Sequence, residues 1–330
     1  MHIHIQNPHD EKLFPVTPAQ VEAALSRHPG IGRPEITLAD DDAGFASAMQ
    51  QAEVLLTWTR VVKARFPVGA LPGIAPKLKV IACTSAGLDG LSPFTWLPPE
   101  VVLLNNRGAH AAKGGEFALM SLLMLASHVP FFGTQQRAES WTKRFGSVLA
   151  SRTVCIVGLG SIGGSAAQHA KAFGMKVIGV RHSATPHPHC DEVVTTAALD
   201  QVLPRAEFLL LACPLTPETR GLIDRRRIGL LPAGAKLVNI ARGAVWDQDA
   251  VCDALETGAL AGAVTDVAIP EPLPPGHRMW RTPGLLVIPH VSSDDPATYN
   301  DDTLDILFRN LLAMQAGQPA PNRVEPGRGY

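Results

Sequence analysis

One six-residue turn, Gly158-Leu159-Gly160-Ser161-Ile162-Gly163, restricts what this chain can fold into more than any other feature. Thr153-Val154-Cys155-Ile156-Val157 runs directly into it and reads as a strand. Behind it, Ile162, Ala166, Ala170 and Phe173 recur at helical spacing. A glycine pattern between a strand and a helix is the phosphate-binding turn of a dinucleotide fold. Gly158 permits the tight turn, Gly160 lets the backbone approach a pyrophosphate, and Gly163 lets helix and strand pack closely. The helix N-terminus then offers its unpaired N–H groups to the phosphates.

The place of the turn matters as much as its sequence. The chain has 330 residues, which points to about two domains. Apolar runs at Met1–Ile5, Val54–Thr57, Lys79–Cys83 and Val101–Asn105 precede the turn and read as strands of a complete α/β unit. A helix is expected from Thr17, which caps it, with Pro18 at its first position and Gln20 closing a capping box. After the turn come Lys176–Val180, Phe208–Cys213, Lys236–Ile240, Ala263–Val267 and Leu285–Ile288, so apolar that they suit parallel strands covered on both faces. The expected fold is therefore α/β: two Rossmann- or flavodoxin-like domains with parallel sheets and a cleft between them. Residues 1–104 and 294–330 form a split substrate-binding domain, and residues 105–293 the dinucleotide-binding domain. Residues 317–330, rich in Pro, Gly and Arg, are expected to form a surface tail.

Other classes are disfavoured. Hydrophobic residues make up 46% and charged residues 18%, as in a globular protein. A net charge of −1 without a basic block argues against nucleic acid or an anionic membrane as partner. The start, which turns polar at Asn7-Pro8-His9-Asp10, lacks the basic and apolar segments of a signal peptide. The longest mostly apolar run, Phe117–Ala126, is too short to span a bilayer. Five cysteines without a CxxC read as reduced, packed thiols, and a cytoplasmic location is expected. His187, His189 and Cys190 cluster, but in a proline-rich loop, and no metal site is expected. His2 and His4 share one strand face and are read as structural, and Trp58, Trp96 and Trp141 as core residues.

Three segments carry isolated charges beside apolar runs: Asn239-Ile240-Ala241-Arg242-Gly243, Asp266-Val267 followed by Glu271-Pro272, and Pro289-His290. Charges so placed lie at the C-terminal ends of parallel strands, where ligands bind. An Arg, a carboxylate and a His gathered there suit the reduction of a 2-oxo acid. Arg242 polarises the carbonyl and helps hold the carboxylate, His290 donates the proton, and Glu271 orients His290 and favours its protonated form. The next strand after the turn ends at Val180-Arg181-His182-Ser183, where NAD-binding folds usually carry an acid for the ribose hydroxyls. A guanidinium pairs with a 2′-phosphate instead, so NADP(H) is favoured over NAD(H).

With these segments the chain resembles the D-isomer-specific 2-hydroxyacid dehydrogenases, the glyoxylate/hydroxypyruvate reductases among them, over nearly its whole length. The turn, Pro214-Leu215-Thr216, Asn239–Gly243, Asp266-Val267, Glu271-Pro272-Leu273-Pro274 and Pro289-His290 follow in the family's order. The resemblance implies a catalytic Arg242, Glu271 and His290, with Asp266 contacting the nicotinamide. It implies cofactor contacts at Gly158, Gly160, Ser161, Ile162, Gly163, Arg181, His182, Ser183, Cys213, Pro214, Thr216 and Ala241. Thr84-Ser85-Ala86-Gly87-Leu88-Asp89 looks like the family's substrate loop, so Ser85, Ala86 and Gly87 are expected to bind the carboxylate through backbone N–H groups, with Arg242 and His290 completing the site. Asn106-Arg107-Gly108 and Glu116 match the family's crossing segment less closely, and Arg107 receives no role. The resemblance also implies a homodimer joined through the cofactor domains and a small 2-oxo or 2-hydroxy acid as substrate. Two alternatives are a small-acid dehydrogenase of the same family, such as one oxidising phosphite, and a dinucleotide-sensing corepressor-like binding protein. The formate-oxidising branch pairs its His with Gln, against Glu271 here.

Overall fold

The computed structural model of the chain describes residues 1–9 and 14–327, so Asp10 of the N-terminal segment and Arg328, Gly329 and Tyr330 of the C-terminal one lie outside the described residues. The chain divides into two compact units, Met1–His110 with Asp295–Tyr330, and Ala111–Asp294.

The first unit holds strands β1 (His2–Gln6), β2 (Glu35–Ala39), β3 (Val54–Thr57), β4 (Val80–Cys83) and β5 (Val102–Leu104). They form one parallel sheet in the order β2-β1-β3-β4-β5. The helix Pro18–Arg27 starts as its sequence predicts: the Thr17 hydroxyl accepts the Gln20 N–H, and the Gln20 side chain returns to the Thr17 N–H. The helix Tyr299–Gln315 lays Leu304, Leu307, Phe308 and Leu311 against Ile3, Ile5, Val54 and Leu56. These buried aliphatic and aromatic side chains contribute about 1.5–3 kcal/mol each and fix the last helix to a sheet made from the first hundred residues. His2 and His4 both hydrogen-bond the Thr37 hydroxyl of β2 at 2.9 Å, and burial lowers the pKa of His4.

The second unit holds β6 (Thr153–Val157), β7 (Lys176–Arg181), β8 (Glu192–Thr195), β9 (Phe208–Leu211), β10 (Ala235–Asn239), β11 (Leu260–Thr265) and β12 (Leu285–Val287). All pair in parallel, in the order β12-β11-β10-β9-β6-β7-β8. The strand order reverses between β6 and β9, and such a reversal opens a crevice at the C-terminal strand ends. The helix Ala111–Ala126 buries Phe117, Ala118, Leu122 and Leu125 against this sheet. Gly114 and Gly115 let it lie close to the helix Ser161–Ala172, near Ile162 and Ser165. No single helix among the described residues is long and apolar enough to cross a membrane.

Two expectations need correction. Residues 318–324 are not a surface tail. The Asn322 carbonyl accepts the Asn105 N–H, Val324 N–H donates to the Leu103 carbonyl, and Val324 enters the core with 2% of its surface exposed. The buried Asn322 amide donates to the Arg107 carbonyl at 2.7 Å, and the Arg107 guanidinium donates to the Pro321 carbonyl at 2.6 Å. Satisfied polar groups let Ala320, Asn322 and Val324 lie inside, while Gln318, Pro319, Pro321 and Arg323 stay exposed. Trp58 and Trp96 are core residues, but Trp141 is 96% exposed. It lies in a segment without helix or strand, where Lys143 and Arg144 intervene before Phe145 and no apolar periodicity exists to bury it.

Candidate active site

Three segments converge through adjacent strands of the second unit. β10, β11 and β12 are neighbours, and Arg242, Glu271 and His290 all follow their C-terminal ends. Each is held by local geometry. The buried Asn239 side chain accepts the Ala241 N–H at 3.1 Å and donates to the Arg242 carbonyl at 3.2 Å, which fixes the bend that carries Arg242. Gly243 seats this bend on the backbone of Ala268, where a Cβ would lie 2.4 Å from carbonyl atoms. Ala268 in turn donates its N–H to Glu271 Oε1 at 2.8 Å. The other oxygen, Oε2, lies 2.9 Å from His290 Nδ1. A carboxylate only accepts, so Nδ1 carries hydrogen, and Nε2 is left as the ring atom for a ligand.

The Glu271–His290 pair is not built for stability. Its side chains are 38% and 47% exposed, where an ion pair contributes about 0–1 kcal/mol. Its value is orientation. His290 itself has φ of 50°, a region that few non-glycine residues enter, and the Ile288 N–H ties its segment to the Thr265 carbonyl at 2.8 Å. Beside it, Asp266 is buried. Ser292 Oγ donates to Asp266 Oδ2, while Oδ1 has no hydrogen-bond partner among the described residues. Burial pushes the Asp266 carboxyl above its ordinary range, and the Ser292 hydrogen bond opposes that shift.

On the other side of the strand-order reversal lies the glycine turn. Gly158 has φ of 95°, and a Cβ there would meet the backbone of Ala212 and Cys213 at 2.7 Å. Gly163 is tighter still: a Cβ would lie 1.8 Å from the Gly158 carbonyl oxygen. Gly160, by contrast, has no neighbouring atom within 4 Å of the point where a Cβ would stand. It caps the helix Ser161–Ala172 without any side-chain cap, so the first N–H groups remain for a ligand. Arg181 ends β7, with His182 and Ser183 exposed after it. The acids of the neighbouring strand segment, Asp191 and Glu192, are paired with Lys171 and Arg205 instead. Cys213 and Thr216 are buried beyond β9, where Thr219 Oγ1 accepts the Thr216 N–H and donates to the Pro214 carbonyl. Burial pushes the Cys213 thiol up to about 12, so it stays protonated and is not a nucleophile.

The substrate loop predicted from the sequence follows β4 in the first unit. Its Ser85, Ala86, Gly87 and Leu88 N–H groups have no acceptor among the described residues, while the Thr84 and Ser85 carbonyls are taken. Backbone donors left over in this way suit an anion.

The comparisons with known proteins decide the family. Residues 119–292 match the family model described as D-isomer specific 2-hydroxyacid dehydrogenase, NAD binding domain. Glyoxylate/hydroxypyruvate reductase A of Serratia proteamaculans is 32% identical over 264 residues, 77% of this chain and 82% of that protein. The chain belongs to the D-isomer-specific 2-hydroxyacid dehydrogenase family. D-3-phosphoglycerate dehydrogenase of Mycobacterium tuberculosis is 30% identical over 257 residues, and the match spans about half, 48%, of that longer protein. A D-isomer specific 2-hydroxyacid dehydrogenase from Xanthobacter autotrophicus Py2, solved with NADPH and MES, superposes with a TM-score of 0.81. It is 28% identical, and the match covers 100% of this chain and 99% of that one.

The family's cofactor fits the residues present in this member. The open space at Gly160, the uncapped helix start and the orphaned Asp266 Oδ1 all point to a ligand with phosphates at one end and an amide donor at the other. Asp266 would accept from the carboxamide, and Arg181 would meet a 2′-phosphate. Sequence reading missed Ser292, whose only signal is its place two residues after His290. It assigned nothing to Arg107, which holds the C-terminal segment. His187 Nδ1 lies 3.9 Å from Cys190 Sγ, but no group of three or more His, Cys, Asp or Glu among the described residues is placed to hold a metal ion.

Proposed function

We propose that this protein reduces a small 2-oxo acid of the glyoxylate or hydroxypyruvate kind to a D-2-hydroxy acid, with NADPH. The observation that carries the reading is the Ala268 N–H–Glu271–His290 relay at the ends of adjacent strands. The bound dinucleotide supplies a hydride to the ketone carbon. His290 Nε2 gives its proton to the carbonyl oxygen, and the ring keeps its Nδ1 hydrogen toward Glu271. Glu271 balances the charge of the imidazolium before the transfer. Arg242 polarises the carbonyl and pairs with the carboxylate, which Ser85, Ala86 and Gly87 also hold through backbone N–H groups.

The test is a spectrophotometric assay of NADPH and NADH oxidation across a panel of 2-oxo acids. No turnover of any, with cofactor binding demonstrated, defeats the reading. Arg181→Asp is expected to lower kcat/KM with NADPH by about 10- to 100-fold, the worth of a charged hydrogen-bonded contact. Activity with NADH should be kept, inverting the preference. An unchanged ratio between the two cofactors removes Arg181 from the 2′-phosphate.

The same reading includes a homodimer. Trp141, Phe145 and Val148 are 96%, 89% and 74% exposed in one stretch, more apolar surface than a monomer usually leaves open. Sedimentation of the wild type should give twice the chain mass, and Trp141→Ser with Phe145→Ser should give the monomer. A monomeric wild type at micromolar concentration excludes the dimer. Five unpaired cysteines fit a cytoplasmic location.

A further inference from the structure

The loop after β4 owes its shape to two side chains outside it. Tyr299, in the helix that returns from the far end of the chain, donates its phenol to the Thr84 carbonyl at 2.6 Å. Asn106 donates its amide to the same oxygen at 2.8 Å, and its backbone N–H to the next carbonyl, that of Ser85, at 3.0 Å. The remaining amide hydrogen of Asn106 goes to Thr303 Oγ1 at 2.8 Å, and that hydroxyl donates to the Tyr299 carbonyl at 2.7 Å. Asn106 is 1% exposed and Tyr299 9%. The phenol ring stacks on His110, with centroids 5.4 Å apart, and meets Phe14 edge-on.

This grip has a direction. Two donors fill the Thr84 oxygen and one reaches that of Ser85. Within a trans peptide the C=O and the N–H point opposite ways, so pinning the Thr84 and Ser85 carbonyls turns the Ser85 and Ala86 N–H groups away from Tyr299 and Asn106. We infer that Tyr299 and Asn106 are positioning residues for the substrate carboxylate, acting through the Thr84 and Ser85 carbonyls without touching substrate. The inference rests on the proposed 2-oxo acid site. Preorganised backbone donors bind an anion without first ordering the loop, so loosening them weakens ground-state and transition-state binding together.

The experiment compares full-length wild type, Tyr299→Phe and Asn106→Ser. Tyr299→Phe keeps the ring and its stacking and removes only the donor. Its KM for glyoxylate should rise about tenfold, the usual effect of leaving one buried acceptor short of a donor, with kcat changed less than about threefold. The dissociation constant for NADPH, read by fluorescence, should stay within twofold. The dissociation constant of oxalate from the NADPH complex, read the same way, should rise in parallel with KM. Oxalate binding needs no turnover. A wild type that turns over no 2-oxo acid therefore defeats the reductase reading, whereas equal oxalate affinity in wild type and Tyr299→Phe overturns the positioning role. A wild type that binds no oxalate overturns it also. Asn106→Ser keeps the backbone N–H on the Ser85 carbonyl, but its hydroxyl is too short to reach the Thr84 carbonyl, and it should show the same pattern. A lower melting temperature in both variants with unchanged KM and oxalate affinity assigns the two residues to packing and overturns the inference.

Discussion

His290→Asn lowers kcat by about 10²- to 10⁴-fold while NADPH still binds within twofold of wild type, because a positioned general acid contributes about that much. Asparagine retains a group that can donate toward Glu271 Oε2, now 2.9 Å from His290 Nδ1, but has no proton to release to an oxygen. The segment is held by the Ile288 N–H on Thr265 and does not depend on the imidazole, so folding should survive. Glu271→Gln should fall between the two. Its single amide oxygen can accept from the Ala268 N–H or from Nδ1 but not from both, as the two carboxylate oxygens do, and the charge that balances the imidazolium is lost. Full activity of His290→Asn would take the proton transfer away from this residue, and loss of NADPH binding in the same variant would place it in the cofactor site instead.

The glycine turn yields the second large effect, and two neighbouring glycines should fail in different ways. Gly163→Ala puts a methyl 1.8 Å from the Gly158 carbonyl oxygen, which no side-chain movement relieves. The helix must shift off β6, at a cost of about 3 kcal/mol, which lowers the melting temperature by about 6–12 °C and removes NADPH binding with it. Gly160→Ala has nothing within 4 Å and a φ of −76° that alanine accepts. Its melting temperature should match wild type within about 2 °C, yet the methyl occupies the space that the pyrophosphate needs, and NADPH affinity should fall at least about 100-fold. Thermal melts with and without NADPH separate the two. If Gly160→Ala binds NADPH normally, the phosphates do not approach that residue.

Much of this architecture is legible from residue type because parallel strands covered on both faces leave an unambiguous mark. Thr153–Val157 and Phe208–Leu211 are apolar without alternation, and both read as strands directly. Two of the four edge strands are a different matter. Glu35–Ala39 and Glu192–Thr195 each lie at the border of a sheet, half-buried, with charged and hydroxyl side chains mixed among the apolar ones, and nothing in them announces a strand. The reacting trio was visible because isolated charges in apolar segments are unusual. Its supports were not. Tyr299 meets Thr84 across 215 residues and Asn322 meets Asn105 across 217, and a single polar contact over such a distance leaves no periodic trace. Trp141 shows the opposite failure. A large aromatic residue reads as core by type, and only its surroundings reveal that it faces outward.

The buried asparagines at 105, 310 and 322 have a consequence for how the protein is made. The first unit contains its own sheet after about the first hundred residues, but the helix Tyr299–Gln315 and the strap at 318–324 are synthesised only after the whole second unit. On a ribosome adding roughly 5–20 residues per second, the sheet waits on the order of ten seconds or more with one face covered only in part, by the helix Pro18–Arg27. The second unit, continuous from Ala111 to Asp294, has no such wait. The dinucleotide unit is therefore the natural early folder, and the unit that is first in sequence is last to be finished.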